Sequence, residues 1–233
     1  MISELMRQTL DATGYLHSGD HLTRTEFLRI WKSLPNLKRA ELIGGIVYMP
    51  SPVSIDHADM DNNVGIWVGT YRIATPGCAS GSNTTALLLE DCPQPDVNLR
   101  VKPEYGGKSH VRKNLLAGAA ELFAEVCYTT ASKDLYEKFD LYEKAGVPEY
   151  LVVVVRTKQV QWHRLVRGKY KLILPDAEGV YRSHVFPGLW LDSEALFTGD
   201  MARVLATLQK GIDSEEHQHF VEELASRKRK SKR

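Results

Sequence analysis

A chain of 233 residues, 43% hydrophobic and 25% charged, suits one large globular domain with a real core and excludes a fibrous or low-complexity polymer. Its longest apolar run, "YLVVVV", falls far short of the roughly 20 residues needed to cross a membrane, which excludes a spanning helix. The net charge of +1 is uneven: the tail "RKRKSKR" holds six basic residues, and without it 24 basic residues face 29 acidic ones, near −5, which excludes a general polyanion binder.

Thr23 and Glu26 have capping-box spacing at the start of "TRTEFLRIWKSLP", so a short helix is expected there, stopped by Pro35. "AELIGGIVYM" predicts a hairpin turning at Gly44-Gly45. Past the proline break "PSPVS", residues Ile55 to Tyr71 are expected to be helical. "TTALLLE" and "PDVNLRV" read as two strands separated by "DCPQ", "EYGGKSHVRKN" as a flexible polar loop, and "AELFAEVCY" as a buried strand. The clearest helical pattern is "SKDLYEKFDLYEKAG": Leu135, Phe139, Tyr142 and Gly146 fall on one face, Ser132 can cap the start, and Gly146 with Pro148 can end it. "EYLVVVV" and "QVQWHRLV" form a hairpin around "RTKQ", "KYKLILP" adds a strand, and "ARVLATLQKG" closes with a helix. The expected class is α/β (α+β mixed), a mixed sheet flanked by helices. Residues 1–22 are read as an N-terminal extension, 23–210 as the domain and 211–233 as a polar, basic, disordered tail.

Three cysteines without a CxxC argue against a disulfide framework or a zinc ribbon, and the N-terminus lacks the layout of a secretion signal, so a reducing cytoplasm is the expected compartment. Chemistry is expected where Asp96 opens one strand, Glu125 lies on a second, and Lys138 sits two turns into the following helix. On that helix Lys138 is about 40° from Tyr142, at the edge of the buried stripe, so its amine can turn toward the sheet. Two carboxylates on neighbouring strands suit a hard divalent ion that keeps several waters. A lysine beside it can hold the attacking water and offset charge in the transition state. The bland reading stays open at this stage: a turn aspartate, a buried ion pair and a snorkelling lysine. For Glu41 the simple role is a cross-strand charge, and for His57 a helix-start histidine. His217 and His219 read as solvated.

The order "AELIGGIVYMPSP…H…QPDVNL…LFAEVCYTTASKDLYEKFDLYEKAGVPEYLVV" resembles the bacterial Uma-two family of restriction-endonuclease-like proteins, within the PD-(D/E)xK nuclease superfamily, over Thr23 to Leu196. The resemblance implies a restriction-endonuclease-like core and a Mg²⁺- or Mn²⁺-dependent endonuclease hydrolysing phosphodiester bonds of double-stranded DNA, acting as a homodimer without a membrane. It implies that Asp96 and Glu125 are metal ligands, that the catalytic lysine is Lys138, supplied by the helix, and that Glu41 and His57 flank the cleft. Cys127 stands where the superfamily's usual ExK pattern has lysine, and "EVCYTTAS" replaces the usual serine-proline-serine type of stretch. The alternative is a catalytically inactive member that keeps the nuclease fold as a nucleic-acid-binding or assembly module.

Overall fold

The computed structural model describes residues 15–49, 54–128 and 133–231. Its centre is a six-stranded sheet in the order β11-β10-β9-β8-β5-β3. The strands are β3 (Cys78–Ser82), β5 (Val97–Val101), β8 (Leu122–Cys127), β9 (Glu149–Val154), β10 (Gln159–Val166) and β11 (Lys169–Ile173). Only β8 and β9 pair in parallel within this sheet. A parallel pair requires a crossover, and α3 (Lys133–Ala145) is that crossover.

Residues of β8 and β9 alternate between two apolar layers. Leu122, Ala124, Val126, Leu151 and Val153 face the layer of α2 (Ile55–Ala74), with Met60, Val64, Trp67, Val68 and Tyr71. Phe123, Tyr150, Val152 and Val154 face the layer of α3, with Leu141 and Tyr142. Both faces are covered, so these strands are apolar nearly throughout rather than alternating with polar residues. Two carboxylates interrupt them: Glu125 points into the α3 layer, and Glu149, at the start of β9, is buried against Trp162 and Ser183.

Two smaller units complete the scaffold. Helix α1 (Arg24–Lys32) starts with the expected capping box at Thr23 and Glu26. It packs on the hairpin β1 (Glu41–Ile43) and β2 (Ile46–Tyr48), which turns at Gly44-Gly45 as expected. The described end of the N-terminal extension joins this unit: Leu16 is buried there, and Leu22 N–H donates to Gly45 O. The second unit is a three-stranded sheet of β4 (Ala86–Leu87), β7 (Leu115–Ala117) and β6 (His110–Arg112), with β7 central.

Four expectations need correction. Only Ala86–Leu87 of "TTALLLE" forms strand, because Leu89 turns into the left-handed region beside the Asp91 turn. The expected loop "EYGGKSHVRKN" contains a 3₁₀ turn at Pro103–Tyr105 and strand β6, which turns back into β7 through Lys113-Asn114. The expected disordered tail is ordered as helix α6 (Glu215–Ser231). Its buried stripe is sparse (His217, Phe220 and Leu224) and hidden among charged residues, but it packs on Tyr71 and Phe186. His217 is therefore buried rather than solvated, bonded to Thr75 Oγ1 at 3.0 Å and Ile212 O at 2.8 Å. The remaining elements are β12 (Val180–Arg182), β13 (Trp190–Asp192), α4 (Ser193–Thr198) and α5 (Met201–Ile212), the last matching the expected closing helix. Ser132, expected to cap α3, lies outside the described residues. No helix among the described residues is long and apolar enough to cross a membrane.

Candidate active site

Strand register brings the two distant acids together. Val97 pairs with Ala124 in the antiparallel β5–β8 ladder, so the next step places Asp96 opposite Glu125. Directly opposed residues have Cβ atoms about 4.5–5.5 Å apart. Asp96 is fixed there by its Oδ2, which accepts from Val126 N at 2.8 Å.

The α3 helix delivers the amine. Lys138 is 6% exposed, as is Glu125. Its Nζ lies 3.0 Å from Glu125 Oε2 and 2.9 Å from Glu41 Oε1. One turn later on the same face, Tyr142 donates its hydroxyl to Glu125 Oε1 at 2.8 Å. Glu41, at the start of β1, is held by Gln94 N–H at 2.5 Å, and the Gln94 side chain donates to Thr85 Oγ1 at 2.7 Å. Its partner is thus the lysine of α3 rather than a cross-strand residue.

The α2 helix contributes an acid that the sequence reading missed. Asp61 stands one turn after His57, beside buried Met60 and Val64. Its Oδ1 is buried without a hydrogen-bond partner among the described residues. Burial raises its pKa first, and the nearby Asp96 charge raises it further, while His57 and Arg39 oppose the shift. His57 itself donates its backbone N–H to Ser54 Oγ at the helix start, and among the described residues no bond joins it to Asp96, Glu125 or Lys138. The structure therefore brings Asp96, Glu125, Lys138 and Glu41 together and leaves His57 at the rim.

The site holds more carboxyl groups than cationic ones. Burial pushes Glu125 up to about 8, against the pull of Lys138, with Asp96 and Glu41 adding repulsion. Burial alone lowers the pKa of Lys138, but Glu125, Glu41 and Asp96 outweigh it and hold the amine protonated. Glu125 and Glu41 contact the one ammonium, Asp96 adds to its field, and Asp61, with its orphaned carboxyl oxygen, lies near Asp96. A cation satisfies both features. Among the described residues no group of three or more His, Cys, Asp or Glu is arranged to hold a metal ion, so this is no preformed cage. A Mg²⁺-type ion, which takes one or two carboxylates and keeps its waters, fits such a sparse donor set.

The family model described as "Putative restriction endonuclease", Uma2, matches residues 24–194. A crystal structure of "a putative nuclease belonging to DUF820 from Anabaena variabilis ATCC 29413" is similar, with a TM-score of 0.61 at 13% identity over 76% of this chain and 98% of that one. At that identity the likeness speaks for the fold, which is nuclease-like. No curated protein matches the sequence.

Proposed function

The chain belongs to the Uma-two (Uma2) family, whose membership supports a nuclease, and on that premise we propose a cytoplasmic, divalent-metal-dependent endonuclease that hydrolyses phosphodiester bonds of double-stranded DNA, working as a homodimer. The observation that carries this reading is the buried Lys138 amine between Glu125 and Glu41, one strand away from Asp96.

Asp96 and Glu125 would hold Mg²⁺ or Mn²⁺, with Asp61 as a further acidic neighbour. Such an ion, when bound, polarises a phosphoryl oxygen and lowers the pKa of its water. The protein's own groups do the rest. Lys138 is kept protonated by its carboxylate neighbours, so it acts as a donor and not as a base. An ammonium has three N–H bonds; two are engaged by Glu125 and Glu41. The third is available to orient the attacking water or meet a phosphoryl oxygen as negative charge grows there. Tyr142 and the Val126 amide keep Glu125 and Asp96 from rotating away. In the reaction the attacking water gives its proton to solvent, its oxygen bonds to phosphorus, one P–O ester bond breaks, and the departing oxygen takes up a proton from solvent.

The test is supercoiled plasmid incubated with wild type, Asp96→Ala and Lys138→Ala, with Mg²⁺, with Mn²⁺ and with EDTA. Nicked and linear products that require the cation and vanish in both variants are expected. Cleavage indifferent to Asp96→Ala would count against the site. Cys127, standing where the superfamily's usual ExK pattern has lysine, favours one rival, a nuclease-fold binding module without activity. Its signature is plasmid binding with no product under any cation.

A further inference from the structure

The β6–β7 hairpin is unused by the chemistry above, yet its tip lies at the same end of the molecule as the site. Three links establish this. Leu116 N–H donates to Thr85 O at the start of the β4–β7 ladder, and Thr85 accepts from the Gln94 side chain. The Gln94 backbone in turn holds Glu41. Asn83, two residues before Thr85, donates its N–H to the carbonyl of Asp96 itself. The turn residues Lys113 and Asn114, directly before Leu115, therefore flank the loop bonded to Asp96.

The hairpin's composition is one-sided. Residues 108–114 read "KSHVRKN", with three cationic side chains, a histidine and no acid. His110, Val111, Arg112, Lys113 and Asn114 are all exposed, and β6 is an edge strand. Among the described residues, Lys108, Arg112 and Lys113 form no ion pair, whereas Arg182, Arg203 and Arg227 each have a carboxylate partner. Charge on an edge strand also blocks self-pairing, but that role needs no particular sign. The turn adds a second observation. Lys113 and Asn114 have φ of 50° and 64°, both left-handed. A two-residue turn of this kind favours Asn, Asp or Gly, so Lys113 presents its ammonium group from a backbone position that disfavours it.

We infer that this hairpin tip, through Arg112 and Lys113 with His110 and Lys108 behind them, grips the phosphate backbone of the nucleic acid beside the scissile bond. The inference rests on the nuclease reading and names the element that carries the contacts to the nucleic acid. Such contacts position a duplex without reading its bases. They also let a body of net negative charge bind a polyanion through one local patch.

The experiment is fluorescence anisotropy of a labelled 20-base-pair duplex in EDTA, titrated at several salt concentrations. Arg112→Gln/Lys113→Asn removes two charges and leaves a residue suited to the turn. Lys171→Ala/Lys210→Ala removes two exposed charges elsewhere as a control. The hairpin variant is expected to bind roughly tenfold more weakly, with the log–log salt slope reduced by about 2, while the control stays near wild type. Equal losses in the two variants, or none in the hairpin variant, would overturn the hairpin's role and leave the nuclease reading standing. A wild-type protein that binds no duplex and cleaves no plasmid would overturn both.

Discussion

Replacing Lys138 with methionine isolates the interaction on which the candidate site depends. The side chain keeps most of its apolar length, so packing changes little, and the loss is electrostatic. Two carboxylates lose their shared cation: Glu125, as buried as the lysine, and Glu41, whose side chain is 19% exposed. Removing one partner of a buried ion pair costs about 3–5 kcal/mol. Unfolding entropy of about 2.1 cal/mol/K per residue converts 1 kcal/mol into about 2 °C for a chain of this length. Metal-free Lys138→Met should therefore melt about 6–10 °C below wild type by calorimetry. Adding Glu125→Gln to it should recover part of the loss, because a neutral partner no longer needs the cation. Mn²⁺ should raise the melting temperature of the single variant at least as much as that of wild type, since the ion meets less competing positive charge. Cleavage should stay absent throughout, because a cation restores charge balance but not the amine's third N–H. A metal-free Lys138→Met protein melting within about 2 °C of wild type would show that the amine does not hold the carboxylates together.

Three further outcomes follow from other residues. Asp61→Asn removes a carboxyl that burial and Asp96 both penalise, so the metal-free protein should be slightly more stable, while Mn²⁺ binding by calorimetric titration weakens severalfold. Glu149 is fully buried, accepts from Ser183, His184, Val185 and Trp162, and is pushed by burial up to about 7. The folded state holds its proton more tightly than the unfolded state, so stability should fall as pH rises from about 4.5 to 7. Glu149→Gln should flatten that slope in pH-dependent melts, at a cost of about 2 kcal/mol from its misplaced amide donors. A Cβ at Gly107 would sit 1.8 Å from Val101 O. Gly107→Ala should accordingly displace the segment leading into β6 and lower duplex affinity more than it lowers cleavage of a small phosphodiester at saturation.

The parts legible in the sequence are those where one period or one spacing decides the structure. The α3 stripe fixed the side from which Lys138 enters, and "PDV" against "AEV" placed Asp96 and Glu125 at equivalent strand positions. Other parts depend on contacts that no local pattern encodes. Glu41 reaches Lys138 only because Gln94, far along the chain, pins it. Asp61 was hidden by its helix, whose first turns read "IDHADMDNN", a polar stretch in which any acid looks solvated. The α6 helix was hidden by charge: His217, Phe220 and Leu224 are enough to dock it when Tyr71 and Phe186 supply the opposing surface.

The hairpin was missed for a related reason, and the miss bears on function. Turn chemistry is normally announced by Gly, Asn or Asp, and here the first turn position is Lys113. Local propensity alone therefore argues against the structure that forms. Where a chain overrides propensity at an exposed position, packing cannot be the compensation, because Lys113 has none to gain. The compensation comes from the strand pairing on either side, Arg112 with Leu115 and Val111 with Leu116. On the β6–β7 tip, next to a site rich in carboxyl groups, a phosphate backbone is the partner whose charge matches the hairpin and whose bonds the proposed nuclease would cut.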